Sequence, residues 1–307
     1  MSRTSTAPVR KVGVVGCGLM GSGIAEVCAR AGLDTLVYEV NGDALATGRR
    51  RIEDSLTRAL ERGRLTPADR DATLAALTFT TALDDFADRD LVLEAVPENE
   101  ELKAGIFADL DRIMTRPDAL FASNTSAIPI ITLGTATTRP GQVAGLHFFN
   151  PVPVLDLVEL VPSLATTDDT RERLRAFAAD TLGRHVIAAP DRAGFVVNAL
   201  LIPYLLSAVR MLEAGVASAH DIDTGMVRGC AHPMGPLALI DHIGLDTTLA
   251  VAETLHTEFR EPLYAPPPLL SRMVRAGRLG RKTGRGFHEH PPRTDAPAPA
   301  TAATNAR

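Results

Sequence analysis

Val12-Gly13-Val14-Val15-Gly16-Cys17-Gly18-Leu19-Met20-Gly21 decides the architecture. Lys11 to Val15 is a short apolar run suited to a buried parallel strand, and Gly16-x-Gly18-x-x-Gly21 follows at once. Ile24 to Ala31 then reads as a helix stopped by Gly32. In such a turn Gly16 permits the tight bend, Gly18 lets a pyrophosphate approach the backbone, and Gly21 lets helix and strand pack closely. The helix N-terminus offers free N–H groups and a partial positive charge to the phosphates. Thr35 to Val40 supplies the second strand of the βαβ unit and carries Glu39, whose carboxylate suits ribose hydroxyls. A glycine triplet alone is a weak signal. A strand before it and a helix after it make it a dinucleotide cradle with Leu19 and Met20 at its mouth.

Outward from the cradle, strands and helices alternate for about the first 185 residues. Asp43 to Glu61 reads as a helix and Leu77 to Thr81 as a strand; Leu91 to Val96 is an apolar strand followed by a helix over Glu100 to Met114. Leu120 to Ser123, Val143 to His147, Leu157 to Val161 and His185 to Ala188 are further strands, with a helix near Asp169 to Leu182. The alternation predicts an α/β fold with a Rossmann-type, doubly wound, mostly parallel sheet over residues 1–189. Ligands of such sheets bind beyond the carboxyl ends of the strands. After Pro190-Asp191-Arg192-Ala193-Gly194 the pattern turns helical: Phe195 to Ala214 reads as a long apolar helix kinked at Pro203, and Ser218 to Gly229 and Pro236 to Phe259 look helical too. A second, all-helical C-terminal domain is therefore expected over 190–290. Its crowded apolar residues predict a homodimer formed through it. Residues 291–307 are mostly Pro, Ala and Thr with little apolar bulk, and are expected to be a disordered tail.

Composition excludes other classes. The chain has 307 residues, a net charge of −5 and 22% charged residues, which disfavours both nucleic-acid binding and disorder. No apolar run approaches the roughly 20 residues of a membrane span, and Met1 to Arg10 has no apolar signal core, so the cytoplasm is the expected compartment. Cys17, Cys28 and Cys230 form no metal-ligand or disulfide pattern, and no metal is expected.

A second island, Leu146-His147-Phe148-Phe149-Asn150-Pro151, puts a histidine where a strand should end. Pro151 and Pro153 break the chain after it, so the strand carrying Glu159 can return beside the first and face the imidazole. With Glu94-Ala95-Val96-Pro97-Glu98, Ser123-Asn124-Thr125-Ser126, Gly194-Phe195-Val196-Val197-Asn198, His232-Pro233-Met234-Gly235-Pro236, Gly244-Leu245-Asp246-Thr247 and Gly280 to Phe287, the chain resembles the L-3-hydroxyacyl-CoA dehydrogenase family nearly end to end. It is most similar to the short-chain 3-hydroxybutyryl-CoA group.

The resemblance implies NAD as cofactor, an acyl-CoA substrate, and roles residue by residue. His147 is similar to the family's catalytic base and Glu159 to the carboxylate that orients it. Ser126 and Asn198 match residues that bind the substrate oxygen and the histidine environment. Glu98, Lys103, Asn150 and Lys282 match positions around the dinucleotide, with Gly16, Gly18, Leu19, Met20, Gly21 and Glu39 in the cradle. Ser55 and Arg62 match positions that hold coenzyme A, where the family more often has lysine in place of Arg62; Arg58 and Arg64 read as a solvated helix face. Ala127 stands where relatives carry a second serine, Ala199 where many carry arginine, and Glu39 where aspartate is usual. The implied reaction is reversible oxidation of an (S)-3-hydroxyacyl-CoA. Rival readings are a sugar-acid dehydrogenase of the L-gulonate type, an enzyme acting on carrier-protein thioesters, and a non-catalytic crystallin-like protein.

Overall fold

The computed structural model describes residues 8–290; the tail expected over 291–307 lies outside them. Eight strands, β1 (Lys11–Val15), β2 (Asp34–Tyr38), β3 (Leu77–Thr80), β4 (Leu91–Glu94), β5 (Leu120–Ser123), β6 (Val143–Phe148), β7 (Leu157–Pro162) and β8 (His185–Ala188), form one sheet in the order β3-β2-β1-β4-β5-β6-β7-β8. All neighbours are parallel except β6 and β7, which pair antiparallel. The helices of this unit are α1 (Leu19–Arg30), α2 (Gly42–Glu61), α3 (Pro67–Ala75), α4 (Glu100–Ile113), α5 (Ile130–Thr135) and α6 (Asp168–Ala176).

The strands read as continuous apolar runs because both faces of the sheet are buried. Val12, Val14, Leu91, Leu93, Leu120 and Ala122 pack on one side with Ile24 of α1 and Ile52 and Leu56 of α2. Val15, Val92 and Phe121 point to the other side, against Phe107 and Leu110 of α4 and Leu133 of α5. That is the period-two alternation of a strand, visible only once both layers are in place.

Helix starts follow local chemistry. Asn41, Thr66, Asn99 and Thr167 cap α2, α3, α4 and α6 with side-chain oxygens. Asp191 caps α5, its carboxylate accepting from the amides of Ile130 and Ile131 at 2.7 and 3.0 Å. By contrast α1 begins on Gly18 with no side-chain cap and no acidic residue in its first turn. Its amides are left for a ligand.

The described chain clusters into two compact units, the first ending at Val197 and the second beginning at Asn198. The Pro190–Gly194 stretch stays with the first unit because Asp191 caps α5, Gly194 N donates to the Ser126 carbonyl at 3.3 Å, and Phe195 is buried in its core. The second unit is helical: α7 (Val197–Glu213, its first residue in the sheet unit), α8 (Ala219–Gly229), α9 (Pro236–Ile243), α10 (Leu245–Phe259) and α11 (Pro268–Arg275). The stretch Pro236 to Phe259, expected to be helical, is two helices. Gly244 separates them at φ 107°, a backbone angle that a side chain rarely adopts. Within the first unit, the helix expected to run to Leu182 leaves α-geometry at Phe177 for a wider turn over Phe177–Thr181.

Candidate active site

The cradle closes as its sequence requires. Gly16 sits at φ 92° and its amide donates to the Tyr38 carbonyl at 2.9 Å, which ties the end of β1 to the end of β2. A Cβ on Gly21 would overlap the Gly16 carbonyl oxygen, whereas one on Gly18 would meet open space. Thus Gly21 is needed for the fold of the loop, and Gly18 keeps the ligand side clear. Leu19 is exposed at the mouth and Met20 packs against the core. Glu39 lies one residue past β2, and its carboxylate accepts from the Cys17 amide at 2.7 Å and the Val40 amide at 3.1 Å. An uncapped helix start, a loop open at Gly18 and a carboxylate at the end of β2 fit a dinucleotide with a free 2′-hydroxyl.

The antiparallel pairing of β6 and β7 sets His147 directly opposite Glu159. His147 Nδ1 lies 2.7 Å from Glu159 Oε2. An ionised carboxylate only accepts, so the imidazole carries its proton on Nδ1. The other carboxylate oxygen, Oε1, accepts from the amides of Val196 and Val197 at 3.0 and 2.9 Å. Glu159 is fully buried and is held by these donors, so its orientation is fixed. The imidazole is 7% exposed and lies edge-on to Phe149 and Phe195, at ring distances of 4.6 and 5.5 Å. The amide of the next residue, Phe148, donates to Asn124 Oδ1 at 2.8 Å, which anchors the end of β6.

A second polar cluster forms at the ends of β4 and β5. Glu98 Oε1 accepts from Thr125 Oγ1 at 2.5 Å and from the Ser126 amide and hydroxyl at 3.0 and 3.4 Å. Lys103 is 1% exposed; its ammonium binds Glu94 at 2.7 Å, the Val96 carbonyl at 3.2 Å and Glu98 at 3.3 Å. Ser123 Oγ holds the other Glu94 oxygen at 2.6 Å. Lys103 therefore supports the Glu94–Glu98 turn from beneath. Breaking this buried pair costs about 3–5 kcal/mol, because one charge is left uncompensated.

The remaining predicted residues fall in two places. Asn150 and Ser55 line a recess between α1, α2 and the turn after β6, and Ser55, Arg58, Arg62 and Arg64 line its continuation. Arg58 and Arg64 thus share a concave surface with Arg62. Asn198 and Lys282 belong to the second unit, where the Lys282 ammonium binds both oxygens of Asp246 at 2.6 and 2.5 Å. Sequence reasoning assigned no role to Glu94, Thr125 or Asn124. Glu94, an acid closing an otherwise apolar strand, was the one readable signal among them. Phe195, at φ 46°, reaches the imidazole through a backbone angle no pattern shows.

Among the described residues no group of three or more His, Cys, Asp and Glu is placed to hold a metal, and no helix is long and apolar enough to cross a membrane. Residues 11–192 match the 3-hydroxyacyl-CoA dehydrogenase NAD binding domain, and residues 194–290 match the 3-hydroxyacyl-CoA dehydrogenase C-terminal domain. The chain is 56% identical over 282 residues to 3-hydroxybutyryl-CoA dehydrogenase of Mycobacterium tuberculosis, covering 92% of this chain and 99% of that one. It is 41% identical over 289 residues to human mitochondrial hydroxyacyl-coenzyme A dehydrogenase, covering 92% and 91%. The crystal structure of Ralstonia eutropha (S)-3-hydroxybutyryl-CoA dehydrogenase superposes with a TM-score of 0.87 at 44% identity, over 92% of this chain and 99% of that one. With both halves matched and the cradle and histidine–carboxylate pair in place, the chain belongs to the 3-hydroxyacyl-CoA dehydrogenase family.

Proposed function

We propose that the protein interconverts (S)-3-hydroxybutyryl-CoA and acetoacetyl-CoA with NAD, using His147 as the general acid–base. The observation that carries this reading is the buried 2.7 Å contact between His147 Nδ1 and Glu159, beside a dinucleotide cradle. Bound nicotinamide supplies the hydride acceptor. Glu159 keeps the Nδ1 proton in place and leaves Nε2 with a lone pair for the substrate hydroxyl proton. Oxidation thus needs Nε2 free to accept a proton, and reduction needs the imidazolium to give one. The Ser126 hydroxyl, beside Glu98, is assigned to the substrate oxygen. Phe149 and Phe195 pack edge-on against the imidazole, which is largely buried. The cytoplasm is the proposed compartment. The helical unit is the proposed dimer surface, supported by exposed Leu200 on α7 and Val216 after it. Steady-state rates with acetoacetyl-CoA, a long-chain 3-oxoacyl-CoA and L-gulonate test the substrate: turnover of L-gulonate alone would overturn the assignment.

Two expected results follow from particular residues. Glu39 stands at the ribose end of the cradle, and a 2′-phosphate about 4 Å from its carboxylate is repelled by up to about 4 kcal/mol at an effective dielectric near 20. Since each 1.4 kcal/mol or so is tenfold, NAD is preferred over NADP by tens-fold or more after screening. Nearby Arg51 donates to the Cys17 carbonyl at 3.3 Å, and its charge offsets part of this repulsion. Equal kcat/KM with the two cofactors would refute it. Arg62 is exposed on the recess beside Ser55. Arg62→Ala raises KM for acetoacetyl-CoA several-fold, on the scale of one charge-assisted phosphate contact, and leaves KM for NADH in place. If neither constant moves, Arg62 is a solvated surface charge.

A further inference from the structure

Beneath the arginine-lined recess lies a carboxyl group that the proposed reaction does not use. Glu26, on α1, is 1% exposed, and it borders both parts of the recess. Its Oε1 is buried without a hydrogen-bond partner, and the closest cation is the Arg30 guanidinium at 3.6 Å. A buried carboxylate oxygen in this state is costly unless it gains a proton or a donor. Above it the recess is basic, since Arg30, Arg58, Arg62 and Arg64 all line it.

We propose that Glu26 is a specificity-determining residue of this recess: it takes up a proton when the phosphate of a coenzyme A-type nucleotide seats among these arginines, and so sets how tightly phosphorylated thioester carriers bind. The proton comes from solvent and adds to a carboxylate oxygen; no other bond changes. The inference rests on the recess being the coenzyme A site of the proposed function.

The charges around Glu26 explain the coupling. In the empty recess the cations favour its charged form: Arg30 on its own helix, Arg58 on α2, and Arg184 ahead of β8. Ser55 of α2 also favours the charged form, and Asp54 is the other acid on the lining. Burial nevertheless already pushes the Glu26 carboxyl above its ordinary value, against the pull of Ser55, Arg30 and Arg58. An incoming phosphate neutralises the arginines and adds negative charge, which favours the protonated acid further. The sign is then fixed. Protonated Glu26 leaves the recess one unit more positive, so affinity is highest below the Glu26 pKa and falls as pH rises through it.

Calorimetric titration of the full-length protein with coenzyme A, in two buffers of different ionisation enthalpy, reads the proton count. Binding to the wild-type protein takes up a fraction of a proton that Glu26→Gln abolishes. The glutamine keeps the side-chain volume and mimics the protonated state, so at about pH 8, where the 3′-phosphate is fully ionised, it binds coenzyme A roughly three- to tenfold more tightly than wild type, a screened single-charge effect. The change falls on KM for acetoacetyl-CoA and not on KM for NADH. Dephospho-coenzyme A shows little uptake with the wild-type protein, a comparison that needs no variant. Equal proton uptake and equal affinity in wild type and Glu26→Gln overturn the inference, as does equal uptake by wild type with and without the 3′-phosphate. Turnover of acetoacetyl-CoA without Glu26-dependent uptake sinks only this inference. Absence of that turnover with uptake intact sinks only the assigned reaction.

Discussion

His147→Gln lowers kcat by about 10²- to 10⁴-fold in both directions, the usual range for loss of a positioned acid–base group, while NADH still binds. Glutamine at this position has no nitrogen lone pair able to accept the hydroxyl proton. Glu159→Gln falls by on the order of 10²-fold or more, for a reason the contacts make specific. Glu159 Oε1 accepts from Val196 and Val197, so a glutamine amide keeps its oxygen there and turns its NH₂ toward His147 Nδ1. Nδ1 must then accept, the ring proton moves to Nε2, and the nitrogen facing substrate can no longer take a proton. The double variant loses far less than the product of the two single losses, because a misplaced tautomer costs nothing once the imidazole is gone. Single-turnover rates at saturating NADH measure all three. Retention of most of the turnover by His147→Gln would falsify the acid–base assignment.

Gly21→Ala has the second largest effect, and Gly18→Ala is its control. A methyl on Gly21 is driven into the Gly16 carbonyl oxygen, which is backbone and cannot rotate away. Overpacking of this kind costs about 1–3 kcal/mol or more, or several degrees in Tm for a unit of this size. The displaced loop also loses its line of amides, so affinity for NADH falls on the order of 10²-fold, as when a preorganised site is misplaced by about 1 Å. A methyl on Gly18 meets nothing within 4 Å. Gly18→Ala keeps the wild-type Tm, yet weakens NADH because the methyl occupies the space of the pyrophosphate. Thermal melts with and without NADH separate the two. A Gly18→Ala protein that melts early, or a Gly21→Ala protein with normal NADH affinity, contradicts this division of labour.

Sheet and site were legible to different depths, for physical reasons. The βαβ start, the eight strands and the His147–Glu159 pairing could be read because buried parallel strands are apolar runs and because two prolines force the chain back. Strand ends were less legible: β2 stops at Tyr38 and leaves Glu39 outside, although the Glu39 amide still donates to the Thr80 carbonyl at 3.2 Å while its carboxylate turns to the Cys17 amide. The α9–α10 break escaped notice because Leu245 continues the apolar pattern across Gly244, and only φ marks the turn. α3 is hard to see for the opposite reason: its nine residues hold one large apolar side chain, Leu74, and the Thr66–Asp69 capping box is its main signal. The burial of Lys103 and Glu26 is not legible in the sequence, because it depends on what the rest of the chain lays over them.

The antiparallel β6–β7 pair separates two kinds of inheritance. Register alone places His147 across from Glu159, and a shift of one residue within either strand would turn one of them to the opposite face. Of the eight positions linking the strands, Phe149 packs on the imidazole and Val152 in the core, whereas Asn150, Pro151, Pro153 and Val154 wall the recess. Insertions and substitutions there alter which molecules are admitted while the proton-transfer pair keeps its spacing. Selection on diet and selection on chemistry can thus proceed on neighbouring residues without interfering, and a library randomised across this link is the place to redirect the enzyme toward other thioesters.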